Sequence, residues 1–198
     1  MIDSKETFDH LYNKSAETLW TFKEHPKQLK EVVQRGEIRP CTVLDIGCGE
    51  GYYSIYLASK GFDVTAIDRS ENAIKCAKQH AKEAGVRINF LVMDWKEMLK
   101  LKRRFYFILD WRFLHEIIDE DERKAYVRNV RQLLNKRGKY LSVAFSGEIE
   151  YWGKGELRKA PTGVTLYFPK NKDLKKLFNN YFRIIEKKMA LLTSYSQR

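Results

Sequence analysis

The chain has little cysteine, few prolines and no long apolar run. Among its 198 residues are three cysteines, Cys41, Cys48 and Cys76, an odd number with no CxxC pair. That argues against a disulfide framework and against a structural zinc site. No stretch approaches the roughly 18 apolar residues that a membrane helix needs; Phe105–Leu109 is among the strongest short runs. The opening residues include Asp3, Lys5 and Glu6 with no apolar core behind a basic start, so no secretory signal is expected and a cytoplasmic protein is. No repeat, low-complexity tract or Pro/Gly-rich linker divides the chain, and one domain over residues 1–198 is expected.

Acidic residues are in deficit: 26 Asp+Glu stand against 37 Lys+Arg, for a net charge of +11. Such an excess either serves solubility or marks a polyanionic partner. The basic residues are scattered, with some clustering at Lys100–Arg104 and Lys170–Lys176. Neither cluster interleaves aromatics as an RNA-stacking module does. A nucleic acid is therefore a less favoured partner than a small molecule.

What the chain does have is alternation. Thr42–Ile46 reads as a buried strand, Gly51–Lys60 as a helix stopped by Gly61, and Phe62–Ile67 as a second strand. Ser70 caps a helix reaching Ala84, with Ile74, Ala77, Ala81 and Ala84 on one face. Arg87–Met93 and Phe105–Asp110 read as strands three and four. Asp119–Asn135 is the clearest helix, acidic in its first turn and followed by Gly138, and Lys139–Phe145 is strand five. This order implies an α/β fold: a three-layer, Rossmann-like, doubly wound and mainly parallel sheet with helices on both faces. Residues 42–146 form that core. Residues 1–41 read as a helical cap, with Tyr12 and Trp20 as either a lid or ordinary core packing. Residues 147–198 hold a strand-like Gly163–Phe168, a helix Asn171–Asn180 and a strand Phe182–Leu192.

The chemistry concentrates in Val43-Leu-Asp-Ile-Gly-Cys-Gly-Glu-Gly-Tyr-Tyr53. Gly47, Gly49 and Gly51 allow a tight turn and close approach of a ligand at a helix N-terminus. A dinucleotide fingerprint would need glycine where Tyr52 stands, and the lysine of a phosphate-binding Walker loop is absent. Asp45 and Glu50 would repel a pyrophosphate and suit a ligand bearing an ammonium and a sulfonium. S-adenosylmethionine carries both. Asp68, about 20 residues on, ends the second strand where an acid can bind ribose hydroxyls. Asp94, followed by Trp95, ends the third and is either an adenine contact or a turn-forming cap. Cys48 is either a small packing residue or a thiol nucleophile, with no activating base beside it.

DIGCGEG, then VTAIDRS, then VMDW resembles the class I S-adenosylmethionine-dependent methyltransferases over about residues 40–146. LYNKSAETLW and LASKGFDVTAIDRSENAI look most like the small-molecule branch with thiopurine and tellurite-resistance methyltransferases. The resemblance places Gly47, Cys48 and Gly49 along the methionine part of the cofactor and Asp45 at its amino group. It places Asp68 at the ribose, and Asp94 and Trp95 at the adenine. Arg69 departs from the apolar residue common after the ribose acid, although its aliphatic stem can cover the base. Class I members normally close the sheet with an antiparallel hairpin; here Phe182–Leu192 is expected to supply one of its strands, and either Gly163–Phe168 takes part in the sheet or the far edge is open to pairing.

Ligands of open parallel sheets sit beyond the strand carboxyl ends at the switch point. Asp110-Trp-Arg-Phe-Leu-His-Glu116 should therefore border the reacting methyl, with Asp110 at the cofactor. His115 matches the first histidine of an LHH-like segment in small-molecule members. It either accepts a proton from a thiol, hydroxyl or amine, or bonds to backbone and shapes the pocket. The residues after the fourth strand are Asp110-Trp-Arg-Phe113, not the Asp/Asn-Pro-Pro-aromatic of amino-methylating DNA enzymes, and Pro40-Cys41 lies before the first strand, where no cytosine C5 enzyme keeps its nucleophile. The expected activity is methyl transfer to sulfur, nitrogen or oxygen of a small molecule. An RNA or protein methyltransferase and a non-catalytic cofactor-binding module are the alternatives. No metal is expected.

Overall fold

The computed structural model describes residues 27–189. Tyr12 and Trp20 lie outside the described residues, so the expected lid does too. Helix α1 (Lys27–Gln34) leads into β1 (Thr42–Ile46), α2 (Tyr52–Ser59), β2 (Asp63–Asp68), α3 (Glu71–Glu83) and β3 (Asn89–Val92). A 3-10 segment (Trp95–Leu101) precedes β4 (Phe105–Trp111), a 3-10 turn (Leu114–Glu116), α4 (Glu120–Leu133) and β5 (Leu134–Val143). Two short strands, β6 (Leu157–Lys159) and β7 (Thr165–Tyr167), and helix α5 (Asn171–Asn179) follow.

The five long strands lie in the order β3-β2-β1-β4-β5, all parallel. The chain winds outward from β1 through β2 to β3, then crosses back to β4 on the other side of β1. The switch point is thus between β1 and β4, and the Gly47–Gly51 loop leaves β1 there.

Strand periodicity sends alternate side chains to opposite layers. Val43 of β1 packs with Leu29, Leu57, Ile74 and Ala77 from α1, α2 and α3, whereas Leu44 and Ile46 pack with Met98, Tyr126 and Val127 on the α4 side. Val43 and Leu44 are fully buried, each contributing roughly 1.5–3 kcal/mol relative to exposure. Ser70 and Asp119 cap α3 and α4, accepting from Ala73 N and Glu122 N. Near-continuous apolar strands follow from this burial on both faces.

Two expectations need correcting. The helix before β5 does not run to Asn135: it ends at Leu133, and Leu134 already pairs with Phe105. Residues 135–138 then bulge out, with Arg137 at φ 67°, before the regular ladder of Lys139–Val143 on Phe107–Trp111 begins. The C-terminal strands also differ. β7 joins β6 in a separate antiparallel pair and not the main sheet. Residues 183–189 form no strand. Phe182 packs on Tyr140 on the α4 side, while Lys188 reaches Glu31 of α1 on the other, so the chain crosses the β5 edge and cannot run along it as a ladder. No described helix is long and apolar enough to cross a membrane.

Candidate methyl-donor site

The site is built on the turn after β1. Gly47, Gly49 and Gly51 have φ of 68°, 51° and 81°, the left-handed region that favours glycine. Gly47 N and Cys48 N both donate to Ile67 O at 2.9 and 3.0 Å, tying the turn to β2. Gly51 caps α2 with backbone alone. From α3, His80 Nδ1 lies 3.1 Å from Glu50 O, and its ring stacks on Tyr52.

Asp68 holds both sides of this turn. Its Oδ2 accepts from Gly49 N and its Oδ1 from Ser70 N, each at 2.9 Å, and the carboxylate is half-buried. Asp45, 1 % exposed, accepts from Ser54 Oγ of α2 at 2.6 Å. Burial pushes its carboxyl up to about 7; the Ser54 bond pulls down, and the charges of Asp68 and Asp110 push up. Burial, then Asp68 and Asp45, raises the Cys48 thiol well above its ordinary value, so it is no nucleophilic thiolate at neutral pH and is a packing residue.

Asp94 adopts the capping role: its Oδ1 accepts from Lys96 N at 2.9 Å at the head of the 3-10 segment. Trp95 is 9 % exposed and meets Tyr126 edge-on in the α4-side core, so most of its ring faces protein. Arg69 is half-buried beside the tip of β2.

Asp110 requires a correction. It sits one residue along the pleat from the Asp45-facing layer: Asp110 pairs across from Ile46, and Asp45 from Leu109. Its carboxylate therefore enters the opposite layer, where Oδ2 accepts from Tyr126 and Ser142 at 3.0 and 3.1 Å and from the Tyr140 hydroxyl, and Oδ1 from Leu114 N at 3.3 Å. At 0 % exposure with these donors upon it, Asp110 is a buried fastener of α4, β4 and β5 and not a cofactor ligand. An Asp110→Ala protein would strand the hydroxyls of buried Tyr126 and half-buried Tyr140 and Ser142, at a cost on the order of 3 kcal/mol. Urea unfolding should show that loss, and an unchanged midpoint would contradict the fastening role.

The turn after β4 closes over the glycines. A Cβ on Gly47 would fall 2.4 Å from Phe113 Cδ2. Arg112 takes φ 66°, donates its N–H to Val143 O at 2.7 Å and lays its guanidinium 4.6 Å from the Phe145 ring centroid. His115, 4 % exposed, stacks on Phe145 at 4.4 Å, and its Nδ1 has no hydrogen-bond partner among the described residues. Burial, then Arg112, holds its pKa well below the ordinary histidine value, so the ring is neutral. Glu116, overlooked in the motif reading, is half-buried with its carboxyl pushed up to about 8. Burial is the main cause; Arg69 and Arg112 pull down, while Asp68 and Asp110 push up. Only its place one residue after His115 pointed to it.

Carboxyls thus gather around a backbone cradle with no room for a side chain at Gly47. Their mutual repulsion is relieved by a cation and worsened by a phosphate. The donor set fits S-adenosylmethionine.

Comparison with known proteins agrees. Residues 43–138 match the family described as a methyltransferase domain. The ubiquinone biosynthesis O-methyltransferase of Coxiella burnetii is 33% identical over 115 residues, covering 58% of this chain and 48% of that protein. The chain spans about half the length of the curated relatives it matches. Among solved structures, TehB from Haemophilus influenzae superposes with a TM-score of 0.60 at 22% identity, over 88% of this chain and 54% of that one. Magnesium protoporphyrin IX methyltransferase from Synechocystis, with bound S-adenosylmethionine, superposes at 0.64 and 18% identity, over 91% and 86%. Through residues 43–138 the chain is similar to the methyltransferase-domain family, and its fold is the Rossmann-like one of S-adenosylmethionine-dependent methyltransferases.

Proposed function

We propose that the protein is an enzyme that transfers a methyl group to a heteroatom of a small-molecule acceptor, with oxygen the leading candidate. The observation that carries this reading is His115: a buried neutral imidazole with an unpartnered Nδ1, on the turn that closes over the Gly47–Gly51 loop. A cofactor-binding module would have no use for such a nitrogen. Support for oxygen comes from the curated relatives, which are named O-methyltransferases. The small-molecule branch is supported by LYNKSAETLW and LASKGFDVTAIDRSENAI. Among the described residues no His/Cys/Asp/Glu group forms a metal-binding cluster.

The bound donor supplies a methyl on cationic sulfur, an electrophile already activated. Asp45 and Asp68, at the turn of Gly47–Gly51, would hold it and leave the protein to position the acceptor. His115 accepts the acceptor's hydrogen bond. Burial disfavours its imidazolium, so it orients a proton more readily than it removes one. Acceptors with acidic protons, such as phenols, enols and thiols, are favoured over aliphatic alcohols.

Calorimetry with S-adenosylmethionine and S-adenosylhomocysteine, followed by an acceptor screen led by phenols, tests this reading. His115→Ala should lower kcat about 10²-fold while S-adenosylhomocysteine binds within threefold of wild type. Unchanged kcat would remove His115 from the reaction. Tight cofactor binding with no acceptor methylated would favour the binding-module reading.

A further inference from the structure

Resting on the reading of a small-molecule acceptor beside His115, we infer that this acceptor is an aromatic acid: a flat ring that carries a carboxylate besides the atom that receives the methyl. The observations meet on the ring of Phe145, just beyond β5. His115 stacks on it at 4.4 Å between centroids, and the Arg112 guanidinium lies 4.6 Å from the same centroid. The imidazole whose Nδ1 has no hydrogen-bond partner among the described residues thus shares one aromatic ring with a guanidinium. Trp152 meets that ring edge-on at 5.5 Å, and Tyr151 lies at 6.5 Å. Phe145, Tyr151 and Trp152 are half-buried, so this aromatic wall beside His115 still offers surface to a ligand. Flat rings suit such a wall, through offset or edge-on contact.

Backbone strain converges on the same ring. Arg112 and Trp152 hold φ of 66° and 57°, a region that L-residues other than Asn and Asp seldom enter. Residues held in such conformations cluster where a site needs a side chain aimed in one direction. Charge points the same way. Arg158 lies 4.4 Å from the centroid of Phe168, which stacks on Phe145 at 5.2 Å and 9°. Its hydrogen bonds run to the carbonyls of Gly147, Ile149, Tyr151 and Gly155, neutral acceptors that leave its charge in place. The acids of this segment, Glu148, Glu150 and Glu156, are exposed; Glu148 accepts from Asn171 N and Glu150 pairs with Lys154. Carboxylates therefore crowd the donor side at Asp45 and Asp68, and guanidiniums the aromatic side. A carboxylate can accept two parallel hydrogen bonds from Arg112, and the buried charge of Arg158 adds to its attraction.

The experiment titrates the full chain, saturated with S-adenosylhomocysteine, with three probes in a calorimeter: benzoate, its neutral relative benzamide, and the non-aromatic cyclohexanecarboxylate. Benzoate should bind at least about tenfold more tightly than either of the others. Its lead over benzamide should vanish in Arg112→Gln and survive in part in Arg112→Lys, which keeps the charge and loses the planar fork. Its lead over cyclohexanecarboxylate should shrink in Phe145→Leu. Equal binding of benzoate and benzamide to wild type, no binding of benzoate, or a lead over benzamide that persists in Arg112→Gln overturns the inference. Neutral phenols methylated while benzoate is ignored would overturn it and leave the methyl-transfer reading standing. Benzoate bound through Arg112 with no acceptor of any class methylated would remove that reading and this one together.

Discussion

A Gly47→Ala protein should bind S-adenosylhomocysteine at least about a hundredfold more weakly than wild type, a loss of about 2.7 kcal/mol. Two costs combine. An L-residue at φ 68° costs roughly 1–2 kcal/mol. The new methyl would also stand 2.4 Å from Phe113 Cδ2 and 3.2 Å from its Cβ, so the whole ring must move. Phe113 is backed by Tyr126 at 5.5 Å between centroids, and Tyr126 is pinned to Asp110. The displacement therefore spreads into the turn that carries His115 and Glu116. Gly85→Ala is the matched control: its φ is 66°, and a Cβ there meets nothing within 4 Å. It should lose a little stability and no affinity. Equal affinities in the two variants would refute the close approach at Gly47.

The second large effect concerns pH. Asp45 keeps its proton up to about 7 in the folded chain, against 3.8 as its ordinary value. Below pH 4 both folded and unfolded chains carry the proton, and the contribution to stability is fully present. As pH rises from about 4 to about 7 the unfolded chain ionises first, and that contribution is lost. Three pH units correspond to at most about 4 kcal/mol. Asp45→Asn keeps an acceptor for Ser54 Oγ and removes the titration. Urea unfolding of the ligand-free proteins at pH 5 and pH 8 should show the variant gaining on wild type by a large part of that amount at pH 8, while its affinity for S-adenosylmethionine falls. Parallel pH profiles for the two proteins would show that Asp45 ionises normally inside the fold.

Local signals carried most of the core. β1, β2 and β4 are apolar runs bounded by glycine or charge, and Ser70 and Asp119 announced the helices they cap, because capping is a contact between neighbours in sequence. The glycine loop and Asp68 were legible for the same reason. Asp110 was not: an acid at a strand tip looks like a ligand, and the Tyr126, Tyr140 and Ser142 hydroxyls that claim it come from two later elements. The packing of Trp95 against Tyr126 is likewise invisible in VMDW. The passage of 183–189 around the β5 edge depends on Tyr140 and Glu31, more than forty residues away, and no periodicity in FRIIEKKM encodes it.

The β6–β7 segment has its own small core: Ala160, Leu166 and Phe168, with Phe145, Tyr151, Trp152 and Val164 around them. Inside it Arg158, 5 % exposed, gives its guanidinium hydrogens to the carbonyls of Gly147, Ile149, Tyr151 and Gly155. Its two ends meet at a narrow neck, where Gly147 N donates to Pro169 O at 2.8 Å and a Cβ on Gly147 would strike Phe168 O. Outside that neck, Tyr167 rests on Arg123 of α4, with the guanidinium 3.6 Å from the ring centroid. Phe145 of the same small core also stacks on His115 and lies under Arg112, so repacking of this unit is transmitted to the turn after β4 through a single aromatic ring.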